Sequence, residues 1–118
     1  MKTNKRLLEE NVHFVNLAET LIGCVTPNFR AVAFEWSGNE IMIYFMLERD
    51  NMHDRDEIKD IVSEFEAFQP LSLGVSHTVV VDNHSPRKRL PGRLVYARKE
   101  QGKEWEETEE ASTSSYQR

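Results

Sequence analysis

Four histidines, one cysteine and a dense run of carboxylates are the groups in this 118-residue chain with the means to do chemistry. His53-Asp54-Arg55-Asp56 offers ligand-type donors. The spacing of Asp54 and Glu57, however, is that of a helix capping box, which accounts for Asp54 without a metal. No Cys/His grouping has zinc spacing. The five glycines, at 23, 38, 74, 92 and 102, are too scattered to cradle a phosphate. Glu57 and Lys59 have the form of the acid-x-lysine end of a nuclease site, but they fall within a helical pattern and lack an upstream Pro-Asp pair. His77 sits on the apolar side of a strand pattern, the usual setting of a packed histidine. His84, in a loop with Asn83, Ser85 and Lys88, is the best acid/base candidate. Cys24 lies in an apolar run and reads as a packing residue. As the only cysteine it forms no internal disulfide, which suits a reducing compartment. These spacings imply no metal and no cofactor, and the expectation is a protein that is not an enzyme.

Charge is sorted along the chain. Residues 48–66 hold eight acids against Arg49, Arg55 and Lys59, a local net charge of −5. Residues 87–99 hold six cations and no acid, and residues 100–118 hold six acids against Lys103 and Arg118. The whole chain carries −5, which disfavours nucleic-acid binding over its whole surface. One reading of the acidic stretch is a solvated helix face. The other is a surface complementary to a basic partner, which speeds association and selects the partner. Its contacts would be Glu48, Asp50, Asp54, Asp56, Asp60 and Glu64, with Tyr44 and Met52 as apolar anchors. The basic stretch has its own alternatives. Arg87, Lys88, Arg89 and Arg93 with Tyr96 would grip RNA, with His84 as the acid/base group of a ribonuclease. Equally, the cations would guard an edge strand or be neutralised by the acidic tail.

The elements that must position these groups follow from periodicity. Residues 4–24 predict a helix whose apolar stripe is Leu8, Val12, Val15, Ala18 and Ile22, widened by Leu7, Phe14, Leu21 and Val25, with Glu9, Glu10, Asn16 and Glu19 left to water. Pro27 ends it. Strands are predicted over 29–36 and 40–47 around a Ser37-Gly38-Asn39 turn. The second strand is apolar on both faces: Ile41, Ile43, Phe45 and Leu47 on one, Met42, Tyr44 and Met46 on the other. That pattern suits a central strand or one at an interface. A second helix over 54–68 buries Ile58, Ile61, Val62, Phe65 and Phe68. Strands over 73–81 and 93–99 flank a long loop, the last alternating Leu94 and Tyr96 against Val95 and Ala97. The fold class is α+β in the order α-β-β-α-β-β. It predicts a four-stranded, mostly antiparallel sheet with two helices on one face, in a single domain over 1–99. A connection through the second helix crosses right-handed if its flanking strands are parallel. The tail over 100–118 loses all periodicity and is expected to be disordered, with Trp105 docking back. No apolar run approaches the ~20 residues of a membrane helix, and no apolar stretch follows the basic start, so the expected compartment is the cytoplasm.

The segment TPNFRAVAFEW, the acidic helix IKDIVSEFEAF and the closing strand GRLVYARKE, in this order of elements, resemble the small bacterial immunity proteins of polymorphic-toxin and contact-dependent growth inhibition systems. The likeness spans residues 17–99. It implies a non-catalytic protein that binds one cognate protein toxin in the producing cell. It carries over no site residues, because that group has no fixed binding motif. Three readings stand side by side. The chain is an immunity protein that occludes a nuclease toxin with its acids, with no nucleic acid or membrane involved. Or it binds or cleaves RNA through residues 87–99. Or it is an interaction module that pairs weakly with itself through the Tyr44 face.

Overall fold

A computed structural model describes residues 4–100, with the side chains of Arg87 and Lys88 left out of the description. The elements are α1 (Asn4–Leu21), β1 (Phe29–Ser37), β2 (Glu40–Leu47), α2 (Met52–Ala67), β3 (Gly74–Val81), the short α3 (Pro86–Arg89) and β4 (Arg93–Ala97). The expected order is present, with one helical turn added inside the 82–92 loop. The strands form a mixed sheet in the order β3-β2-β1-β4. β1 pairs antiparallel with both β2 and β4, and β2 pairs parallel with β3. Two tight antiparallel neighbours follow from the two-residue turn at Gly38-Asn39, where Gly38 adopts φ +61°. The parallel pair requires a crossover, and α2 supplies it.

The main core lies between the sheet and both helices. Val32, Phe34, Ile41, Ile43, Phe45 and Leu47 from the central strands meet Leu17 and Leu21 of α1 and Ile58, Ile61, Val62 and Phe65 of α2. Both helices therefore cover one face, as the apolar spacing of α2 predicts. A smaller cluster of Ala31, Ala33, Met46 and Leu90 covers part of the opposite face beneath the segment carrying α3. β2 is thus buried on both sides along its second half, which explains its two apolar faces.

Several expectations give way to tertiary contacts. In α1 the inward arc is Glu10, Phe14, Leu17, Thr20 and Leu21. The predicted stripe faces outward, with Leu8 64% and Ile22 77% exposed. Both arcs carry apolar residues; on the inward one Leu17 and Leu21 join the main core, and Arg93 stacks 4.3 Å from the Phe14 ring centre and bonds Asn11 at 2.7 Å and Glu10 at 3.5 Å. Glu10 is accordingly buried rather than left to water. The second helix starts at Met52, with Asn51 as its cap, instead of at Asp54. Phe68 lies past its end and is exposed. In β4 the alternation breaks, since Val32 faces Tyr96 while Ala33 faces Leu94. Val95 is the extra residue of a bulge, so Val95 and Tyr96 both pack on the main core. A like irregularity in β1 sets Phe29 opposite Leu47 and Ala31 opposite Met46, which leaves Arg30 between them. The flexible tail expected from residue 100 and the docking of Trp105 concern residues 101–118, outside the described part, although Glu100 itself is held in ion pairs.

Candidate functional site

The acids of residues 48–66 do not share one fate. Asp54 faces inward and is 3% exposed. Asn51 Oδ1 accepts the Asp54 N–H at 2.8 Å, while Asn51 Nδ2 donates to the Asp54 carboxylate at 3.0 Å, a reciprocal box that closes the start of α2. Asn28 Nδ2 and Thr26 Oγ1 also donate to Asp54, at 2.8 and 3.1 Å. Burial alone would raise the Asp54 pKa, but these donors outweigh it and hold the carboxyl below its usual value. Asp54 therefore pins the 26–28 turn to α2 and offers nothing to a partner.

Two further acids are met by the chain's own cations. Glu48 accepts from Arg98 at 2.9 Å. Asp50 accepts from Arg55, and that bond lowers the Asp50 pKa. Tyr44 lies across the sheet, packed against the smaller cluster, where its hydroxyl donates to Glu35 at 2.7 Å. That bond, above all, raises its pKa. The structure thus does not bring Tyr44 to the face that carries the acids of α2.

What remains is a stripe. Asp56, Asp60 and Glu64 recur at four-residue steps, all exposed, along the outer side of α2. None of the three makes an ion pair among the described residues. Met52, 78% exposed, stands at the N-terminal end of the helix. Arg55 and Lys59 lie along the other flank of α2, toward β3, and line an open groove of about 570 Å³ with Asp50, Asn51, Met52, His77 and Val79, with Asp56 also on its wall. His77 meets the Phe45 ring edge-on at 6.2 Å. Burial first, then Lys59 and Arg55, lower its pKa, which favours the neutral imidazole. On the opposite flank, burial and then Glu57 and Glu64 raise the Cys24 pKa, so the thiol is kept protonated and a poor nucleophile.

Three cations of the basic segment are met by the chain's own acids. Arg89 donates to Asp82 at 2.7 Å, Arg93 engages Glu10 and Asn11, and Arg98 bonds Glu48, Glu100 and the Pro27 carbonyl. Arg30, 2% exposed, donates to Glu100 at 3.1 Å and to the carbonyls of Asp82 and His84. His84, the acid/base candidate, donates its backbone N–H to Asp82, and its ring sits 2.6 Å from the same carboxylate. Burial would raise the Asp82 pKa, but the bonds from His84 and Arg89 bring it down to about 2. The 82–100 region is a clamp on the end of the sheet. Sequence reading missed Arg30, Glu10 and Asp82 as members of buried networks. The one trace of Arg30 is a long cation inside the apolar run FRAVAF.

Among the described residues, no group of three or more His, Cys, Asp or Glu side chains gathers to hold a metal ion. No helix among them is long and apolar enough to cross a membrane. The family model described as MafI2 immunity protein matches residues 12–100, most of the chain and nearly all of the described fold. No curated protein matches.

Proposed function

We propose, from the premise that the chain belongs to the MafI2 immunity protein family, that it neutralises a cognate toxin by binding it, without catalysis, and that the outer stripe of α2 is the recognition surface. The observation that carries this reading is that Asp56, Asp60 and Glu64 are exposed and make no ion pair among the described residues, whereas Asp54 is buried and Glu48 and Asp50 are paired. Three carboxylates at four-residue steps make a negative ridge about 12 Å long, at 1.5 Å of rise per residue. Such a ridge fits the basic cleft of an enzyme that handles nucleic acid, so the toxin class best suited to it is a nuclease. Met52 at the end of the ridge supplies an apolar anchor of the kind that concentrates binding energy. The site of action is the cytoplasm of the producing cell, which agrees with the single protonated thiol. RNA binding by residues 87–99 loses support, because Arg89, Arg93 and Arg98 are committed to internal carboxylates.

The test is co-expression with the toxin domain of a candidate toxin encoded beside this chain's gene. The wild-type chain restores growth, and Asp56→Lys with Asp60→Lys restores it poorly while remaining folded. Growth arrest despite abundant wild-type chain contradicts the immunity reading. Full protection by the double variant removes the ridge from it.

A further inference from the structure

The sheet has two edges, and they are built differently. β4 is five residues long, follows Pro91-Gly92, and begins with Arg93. β3 runs eight residues as GVSHTVVV, with no proline and no formal charge. Long uncharged edges are ready templates for another strand, and proteins usually blunt them. β3 pairs with β2 in unbroken register from Gly74 to Val81. Gly74 N–H donates to the Asn39 carbonyl and Asp82 N–H to the Leu47 carbonyl, both toward β2. Strand groups alternate in direction, so the N–H and C=O groups of Val75, His77, Val79 and Val81 point out of the sheet. Among the described residues no strand lies beyond them.

Backbone donors and acceptors in that row are met by extended backbone, not by a helix face. A strand laid there would also lean side chains into the groove between β3 and α2. Lys59 in that groove makes no ion pair among the described residues, whereas its neighbour Arg55 is met by Asp50. Burial first, then Lys59 and Arg55, favour the neutral form of His77, which lines the same groove. A carboxylate on the incoming strand, directed at Lys59, is therefore the complementary side chain, and Met52 and Val79 suit an apolar residue beside it.

We propose that the outer edge of β3 receives an extended segment of the toxin, carrying a carboxylate that meets Lys59. The inference rests on the immunity reading and adds to it a second contact, next to the acidic ridge on the same helix. It predicts that the toxin meets α2 from two sides, with a basic surface over Asp56 and Asp60 and an acidic strand against Lys59.

Amide hydrogen exchange on the full chain, alone and with the toxin domain that it protects against in co-expression, tests it residue by residue. In the free chain the amides of Val75, His77, Val79 and Val81 exchange fast while those of Ser76, Thr78 and Val80 are protected; in the complex the first set becomes protected. His77→Pro removes one outward donor without touching the bonds to β2, and is expected to weaken toxin binding roughly tenfold. His77→Ala, which keeps the donor, stays within about threefold, and Lys59→Glu weakens binding. Outward amides that remain fast in the complex overturn the inference. So does protection already present in the free chain at concentrations where it is monomeric, since its own tail would then cover the edge, or protection that appears only as the free chain dimerises. If Asp56→Lys with Asp60→Lys weakens binding while those amides stay fast, the edge falls and the immunity reading stands. If the wild-type chain does not bind the toxin domain at all, both fall.

Discussion

The acidic helix and the basic segment carry charge in similar amounts and use it in opposite ways. Three cations of the 82–100 region are met by the chain's own acids: Arg89 by Asp82, Arg93 by Glu10, and Arg98 by Glu48 and Glu100. On α2 the inward acid is Asp54, while Asp56, Asp60 and Glu64 are exposed and make no ion pair among the described residues. A like density of charge thus builds a clamp in one place and leaves a field in the other. Buried ionic groups bought with desolvation must be satisfied, so their removal damages the fold. Exposed unpaired carboxylates add little to stability, so their removal leaves the fold and changes only what approaches it.

That contrast breaks first at Arg30. Arg30→Met takes from the buried Glu100 one of its two arginines, leaving Arg98, and takes the Arg30 donor from the Asp82 and His84 carbonyls; it is expected to cost about 3 kcal/mol in denaturant unfolding. A cost under about 1 kcal/mol would mean that the clamp is ornamental. Asp54→Ala opens the cap of α2 and frees Asn28 and Thr26, with an expected loss of about 2 kcal/mol and no effect on toxin binding beyond that of instability. The acid side of the pH profile sharpens the comparison further. Asp54 and Asp82 both have folded pKa values below their unfolded ones near 4, so their contribution is complete above about pH 5 and drains as pH falls toward 2. Asp82→Asn should flatten the loss of stability between pH 4 and pH 2, the window set by its folded value of about 2. The smallest effect is expected on the surface: Arg55→Ala changes stability by less than about 0.5 kcal/mol, since its bond to Asp50 is between exposed groups.

The parts of the fold set by local pattern were legible in the sequence. The four-residue spacing of Ile58, Ile61, Val62 and Phe65 gives the buried face of α2, and the alternation of Leu73, Val75 and Val79 gives the face of β3 that packs on it. The parts set by distant residues were not. Leu8, Val12, Val15 and Ile22 satisfy helical periodicity as well as Phe14, Leu17 and Leu21 do, and the buried arc is the one that meets distant residues of the sheet, Arg93 of the last strand among them. The bulges at Arg30 and Val95 shift a strand by one residue, which no local pattern announces. For the candidate site, the gathering of acids was visible. Which of them would be buried or paired was not, because Asp54 is spent on Asn28 and Thr26, and Glu48 on Arg98, half the chain away.

The most direct measurement is the association rate of this chain with the toxin domain that it protects against in co-expression, at several salt concentrations, for the wild type and for Asp56→Lys with Asp60→Lys. The account predicts a wild-type rate that falls steeply as salt rises, and a double variant about tenfold slower at low salt, nearly flat with salt, and equally stable. Identical rates and identical salt slopes for the two proteins would contradict it.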